Sequence, residues 1–250
     1  MIIDHPGKNH IEQLKKLWQS AFGDDQAFID SFFRTAFAYD RCRCVLREDR
    51  VAGAVYWFDC SWQGGKLAYV YALAVDGPHR GKGLGRLLMG DVRACLLAGG
   101  YEGVLLKPGE DWLWDYYGSM GFEPFGSVCE KALSAAGRPE KLQKLGALAF
   151  DRARRAYLPA GGVRQEGQMT AFLEELGAFF EGEDFLAAVS GREKRVLEFL
   201  GNEEKLPGLL AALELDTAVV RLPGGARPAA MYLPLKGGAR KPEYFGLPAD

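Results

Sequence analysis

Six consecutive residues, Arg80-Gly81-Lys82-Gly83-Leu84-Gly85, set three glycines and two cations between an apolar, strand-like stretch (Leu67 to Val75) and an amphipathic helical stretch (Leu84 to Ala98). Glycine lets the backbone turn tightly and approach a ligand closely, and successive N–H groups at a helix start point one way and attract an anion. The run reads as a phosphate cradle. A Walker A loop needs four residues between its first glycine and a Gly-Lys-Ser/Thr ending; here Gly77 and Gly81 enclose only Pro78, His79 and Arg80, and Gly83 follows Lys82. The dinucleotide fingerprint is disfavoured as well. Gly81 and Gly83 are followed by Gly85 and then Arg86, and no parallel βαβ pattern surrounds them.

What remains is Arg-x-x-Gly-x-Gly, carried by Arg80, Gly83 and Gly85 between a strand and a helix. It resembles motif A of the GNAT superfamily of acyl-CoA-dependent N-acyltransferases. Further along, Leu105-Leu106-Lys107-Pro108 and then Trp112 to Phe122, ending Tyr117-Gly118-Ser119-Met120-Gly121-Phe122, resemble the family's later strand, helix and Tyr-x-x-x-Gly-Phe ending. A glycine loop alone is weak evidence, because surface turns often hold several glycines. Two motifs in the right order and at the usual separation are specific.

The resemblance implies acetyl-CoA as co-substrate, with no metal, and an amine acceptor on a small molecule or peptide. It implies that the co-substrate meets Leu73, Ala74 and Val75 on the strand and Arg80, Gly81, Lys82, Gly83, Leu84, Gly85 and Arg86 on the loop and helix. The pantetheine would pair with the strand like an extra strand, where the sheet splays between it and the stretch from Gly103 to Leu106. A backbone donor near Leu73 or Ala74 would meet the acyl carbonyl. Tyr117 matches the family's general acid: its phenol, with a reference pKa near 10, is protonated at neutral pH and close to a thiol in acidity. Its other reading is packing, in an aromatic cluster with Trp112, Trp114, Tyr116 and Phe122. Asp59 and Asp76 are candidate bases or turn caps, and Tyr69 and Tyr71, alternating on one strand face, line an acceptor pocket or pack the core. His79 reads as a turn residue.

The elements that must position these residues are legible from periodicity. Ile11 to Phe22 is an amphipathic helix stopped at Gly23-Asp24, and a second starts at Asp24 or Asp25 and runs through Ala36. Cys42 to Arg47, Val51 to Cys60 and Leu67 to Val75, separated by Glu48-Asp49-Arg50 and Gly64-Gly65, form an antiparallel meander. The helix from Leu84 ends at Gly99-Gly100; Gly103 to Lys107 is a strand, Asp111 to Ser119 a short helix capped by Asp111, and Phe122 to Ala132 a strand. Residues 138–158 read as a connecting helix and Pro159-Ala160-Gly161-Gly162 as a break. Then come a helix (169–180), strands (185–190, 195–200), a helix (203–213) and strands (218–222, 229–235).

The expected fold class is therefore α+β, a mixed and mostly antiparallel sheet flanked by helices. The expected domains are a GNAT-like unit over 1–135, a connecting helix and linker over 136–164, and a smaller α/β unit over 165–250 that echoes the first as a degenerate repeat. There the glycine loop's place is taken by Gly201-Asn202-Glu203-Glu204-Lys205, whose acidic pair repels a pyrophosphate. Alternatively, a late strand such as 229–235 completes the first unit's sheet.

At 250 residues the chain exceeds one acyltransferase domain, and 48% hydrophobic with 26% charged residues is ordinary for a globular protein. A net charge of −2 gives no broad nucleic-acid footprint. Five cysteines without Cys-x-x-Cys spacing suggest reduced structural thiols. No basic leader or long apolar run appears, so the expectation is a cytoplasmic protein without membrane or nucleic-acid partners, and with a homodimer open.

Overall fold

The computed structural model describes residues 1–237 and 240–247. The chain divides into two compact units: unit 1 holds Met1–Cys60, Gly64–Glu123 and the stretch that begins at Tyr232; unit 2 holds Ser61–Gln63, Pro124–Met231 and the stretch from Arg240. This differs from the boundary expected near residue 135. The strand after α4 belongs to unit 2, and a late strand returns to unit 1.

Unit 1 begins with β1 (Ile2–Asp4), α1 (Ile11–Phe22) and α2 (Gln26–Thr35). Gly23 stops α1 in a left-handed conformation, and the Asp25 side chain caps α2 by accepting from Phe28 N–H at 2.8 Å. The meander follows as β2 (Cys42–Arg47), β3 (Arg50–Trp62) and β4 (Gly65–Val75). Its two turns place Glu48-Asp49 and Gln63-Gly64 at positive φ, the backbone of the tight hairpins that suit twisted strands. Then come α3 (Leu84–Ala98), β5 (Gly103–Leu106) and α4 (Asp111–Gly118). Glu110, not Asp111, takes the N-cap position of α4.

Leu14, Leu17 and Trp18 of α1 and Phe28, Ile29 and Phe32 of α2 are buried. Trp18 packs on Phe32 at 4.5 Å and on Tyr56 at 5.2 Å between ring centres. This aromatic layer seats both helices on the sheet. Burial pushes the Cys44 thiol up to about 11, which leaves it inert as a nucleophile.

Unit 2 contains β6 (Glu123–Ser134), β7 (Gln143–Leu145), α5 (Ala147–Tyr157), the short β8 (Arg164–Gln165), α6 (Gln168–Leu176), β9 (Gly177–Gly182), β10 (Phe185–Ser190), β11 (Arg195–Gly201), α7 (Leu206–Ala212) and β12 (Thr217–Pro234). Three expectations are corrected. The helix expected over 138–158 is β7 followed by α5, because Gln143–Leu145 pairs with β9. The helix expected to reach residue 180 ends at Leu176, where Gly177 enters β9; a Cβ there would lie 2.0 Å from the Val189 carbonyl. The two late strands are one, β12, which passes from unit 2 into unit 1.

In unit 2, β9, β10 and β11 form an antiparallel meander and β12 lies parallel to β11, after α7. In unit 1, β4 and β5 are likewise parallel, after α3. The two units thus share a meander, a helix and one parallel strand in the same order. Pairing is otherwise mostly antiparallel, and helices flank the sheets. Among the described residues, no helix is long and apolar enough to cross a membrane.

Candidate active site

β4 pairs with β5 only from Leu67↔Gly103 to Val70↔Leu106, after which β5 ends while β4 continues to Val75. The sheet therefore opens beside Tyr71 to Val75. Backbone polarity along β4 changes sides on the way. Glu102 N–H donates to the Lys66 carbonyl on the β5 side at 2.8 Å, whereas Asp76 N–H donates to the Ala52 carbonyl on the β3 side at 3.0 Å. In a regular strand these positions would face the same neighbour, so the alternation slips between them. Counting back from Asp76, Ala74 faces β3, and its carbonyl lies 3.1 Å from the Cβ position of Gly53. The Val75 carbonyl accepts from Arg80 Nε instead.

At the end of β4 the chain turns through a short 3-10 segment, Gly77–His79, into the glycine run. Gly81 (φ 72) and Gly83 (φ 77) both adopt the left-handed conformation that other residues resist. Gly83 is the N-cap of α3, and no side chain caps that helix start. The N–H groups at the opening of α3 are accordingly turned outward, with the positive end of the helix dipole behind them. Arg80 and Lys82 fold back onto the loop: Arg80 Nε donates to the Val75 carbonyl and Lys82 Nζ to the Pro78 carbonyl, each at 2.9 Å. Both keep their charge beside the helix start.

Gly85 has a different reason to be glycine. A Cβ at Gly85 would stand 2.7 Å from the Tyr116 hydroxyl oxygen and 3.5 Å from the Leu73 side chain. Tyr116 therefore rests on the first turn of α3. One residue on, Arg86 donates to the Ser119 carbonyl at 3.3 Å and to Ser119 Oγ at 2.7 Å, and Ser119 Oγ donates to the Tyr116 carbonyl at 2.6 Å. These contacts clamp the end of α4 to the start of α3. They could not be read from sequence, where Arg86 was counted only with the phosphate ligands and Tyr116 only as packing.

Tyr117 is buried on the inner face of α4. Its ring packs against Tyr116 at 5.1 Å and Phe122 at 5.7 Å. Its hydroxyl forms no hydrogen bond with any described residue. Burial, with the neighbouring Tyr116, pushes its phenol well above the ordinary value, so it stays protonated at working pH. Packing and proton donation are compatible readings of one side chain.

The remaining candidates divide clearly. Tyr69 is buried and stacks on Phe58; Tyr71 is half-buried, stacked on Phe32 and close to Trp18. Asp59 accepts from the Tyr101 hydroxyl, bonds Arg41 Nη1 at 3.2 Å and lies 3.9 Å from Lys66 Nζ, near where β4 begins. Asp76 sits beside the loop, 3.4 Å from His79. Asp59 is held by Tyr101 and Arg41, whereas His79 Nδ1 forms no hydrogen bond with Asp76, and the two carboxylates stand at opposite ends of β4.

In unit 2 the stretch corresponding to the loop is built differently. The Asn202 side chain accepts from Glu204 N–H at 3.0 Å, Glu203 and Glu204 occupy the first turn, and a Cβ at Gly201 would lie 2.2 Å from the Asp184 carbonyl. The donors an anion would use meet a side chain and two acids instead.

Residues 10–122 match the model of the acetyltransferase (GNAT) family. No curated protein matches the sequence. Among solved structures, a GCN5-related N-acetyltransferase from Kribbella flavida is similar at TM-score 0.71 and 18% identity, over 94% of this chain and 72% of that one. One from Anabaena variabilis is similar at TM-score 0.71 and 13% identity, over 94% and 73%. A Pyrococcus horikoshii structure is similar at TM-score 0.68 and 15% identity, over 99% and 94%. At such identities the likeness is one of fold.

Proposed function

We propose that this chain, whose residues 10–122 match the model of the acetyltransferase (GNAT) family, transfers the acetyl group of acetyl-CoA to a primary amine of a small molecule or peptide. Transfer occurs by direct attack in a ternary complex. The observation that carries this reading is the opening of β4 from β5 directly beside the uncapped start of α3. One side offers an unpaired strand edge to an extended amide-bearing arm, and the other offers N–H groups to a pyrophosphate.

In this reading the N–H groups from Gly81 to Gly85 hold the pyrophosphate, with Leu84 and Arg86 in the same turn, and Arg80 and Lys82 add charge. Leu73 N–H meets the thioester carbonyl and stabilises the negative charge that grows there as the amine attacks. The tetrahedral intermediate collapses by breaking the C–S bond, Tyr117 protonates the departing thiolate, and the proton shed by the attacking nitrogen passes to solvent, from which the Tyr117 phenol is restored. Its raised pKa makes it a weak acid in isolation, but a thiolate leaving into the same desolvated cleft is also more basic, and the match between the two governs transfer. Tyr71 sits on β4 next to the opening and bounds the acceptor side.

One observation favours a second reading, an acyl-CoA-binding protein without turnover: of the carboxylates nominated as bases, Asp59 is tied to Arg41 and Tyr101 at the far end of β4 from the glycine run. Thiol release from acetyl-CoA, followed colorimetrically across a panel of amines, separates the two. Amine-dependent release supports the transferase; tight CoA binding with no release on any amine refutes it.

A further inference from the structure

From sequence, Arg86 counts among the phosphate ligands, but its side chain turns to the end of α4. Nη2 donates to Ser119 Oγ at 2.7 Å and Nη1 to the Ser119 carbonyl at 3.3 Å. The electrostatics favour that choice. A cation on the first turn of α3 opposes that helix's dipole, whereas beside the last carbonyls of α4 it complements the dipole and fills an open acceptor. Arg80 and Lys82 remain beside the start of α3 to meet a phosphate.

α4 spans only eight residues, Asp111–Gly118, too few to hold a helix by its own backbone bonds. Its C-terminal end is knotted instead. Ser119 N–H donates to the Asp115 carbonyl at 2.9 Å, Ser119 Oγ donates to the Tyr116 carbonyl at 2.6 Å, and the Tyr117 carbonyl accepts from Met120 and Phe122 N–H at 2.9 and 3.2 Å. Tyr117 lies inside this knot. Its ring is directed by the backbone beneath it and by packing on Tyr116 and Phe122, so a group that holds Ser119 also sets the direction of the phenol. Arg86 ties that knot to α3.

We infer that Arg86 is a positioning residue for proton transfer: through Ser119 it fixes the end of α4, and with it the Tyr117 phenol, relative to the phosphate cradle. The inference rests on the transferase reading and assigns Arg86 a task other than phosphate binding.

Arg86→Met and Ser119→Ala, each alone and combined with Tyr117→Phe, test it by steady-state kinetics and by calorimetric titration with CoA. Arg86→Met should lower kcat by about tenfold, because small misplacements of a reacting group are costly, while the Kd for CoA stays within about threefold. Ser119→Ala removes no cation and should still lower kcat by about threefold or more. With Phe at 117, neither change should move kcat by more than about twofold, since residues acting as a unit are not additive. S-acetylpantetheine carries no phosphate, and its kcat/KM should fall by the same factor of about ten on Arg86→Met. Four results would each overturn the inference and spare the transferase reading: a Kd for CoA raised by about tenfold or more, a loss that vanishes with S-acetylpantetheine, an unchanged kcat in Arg86→Met, or an undiminished loss in the Tyr117→Phe background. A parent protein without turnover refutes both.

Discussion

Gly85→Ala, made with and without Tyr116→Phe, isolates the contact between α4 and the start of α3. In the parent, the new methyl would meet the Tyr116 oxygen at 2.7 Å, where ordinary contact begins at 3.4 Å. Relief requires Tyr116 to move, and overpacking of this kind costs about 1–3 kcal/mol. Alanine in place of glycine inside a helix returns up to about 1 kcal/mol. The net expectation is a loss of about 1 kcal/mol, a fall in Tm of about 2–4 °C for a chain of this size. With Phe at 116 the oxygen is gone and the nearest ring atom is Cζ, at 3.8 Å, so the methyl fits. Only the helix gain remains, and the same Gly85→Ala change should then leave Tm unchanged or raise it. Differential scanning calorimetry of the four proteins measures this. An equal fall in both backgrounds would show that Gly85 is needed for its backbone alone and would refute the contact.

Tyr117→Phe should lower kcat by about 100-fold, the low end for losing a general acid, while the KM for acetyl-CoA stays within about threefold; steady-state kinetics decide, and full activity removes Tyr117 from the reaction. Arg154 and Glu198 are 3% and 1% exposed and bonded at 2.6 and 2.8 Å. Glu198→Gln strands a buried guanidinium and should cost about 3–5 kcal/mol in urea unfolding, whereas Arg154→Met with Glu198→Leu should cost less than that single change. Burial raises the Asp151 carboxyl above its ordinary range. The folded state then holds that proton longer than the unfolded one, so stability falls as pH rises from about 3.9 up to the raised value, and the loss is complete beyond it. Asp151→Asn should flatten that slope in urea midpoints taken across the window; an unaltered slope would disprove the assignment.

What sequence disclosed were local devices. The meander, the glycine run and α3 declare themselves through alternation, turn residues and period, each settled within a few neighbours. What it withheld depends on distant partners. Phe179 and Phe180 continue a helical spacing from Phe172 and Leu176, yet Gly177 lies so close to the Val189 carbonyl that strand pairing prevails. Gly224 and Gly225 fall between the two strands expected over 218–222 and 229–235, but both lie within β12, and Gly225 lets the chain pass 2.6 Å from the Val128 carbonyl as measured from its Cβ position. At the site, the loop was readable and the clamp was not. Arg86 and Ser119 are an ordinary arginine and serine until α3 and α4 are side by side.

The last strand of unit 1 is made only after Pro124–Met231 of unit 2. β5 offers its free edge to the end of β12, where Leu235 N–H donates to the Glu102 carbonyl at 2.8 Å and the Tyr232 ring fills the place of a side chain at Gly103. On a ribosome adding about 5–20 residues per second, β5 emerges many seconds before its partner. Throughout that interval the nascent unit carries an unpaired, wholly apolar strand edge, the kind that pairs with other chains. Unit 1 is finished only after Pro124–Met231 of unit 2 has been synthesised, so arrest before Tyr232 leaves an aggregation-prone fragment.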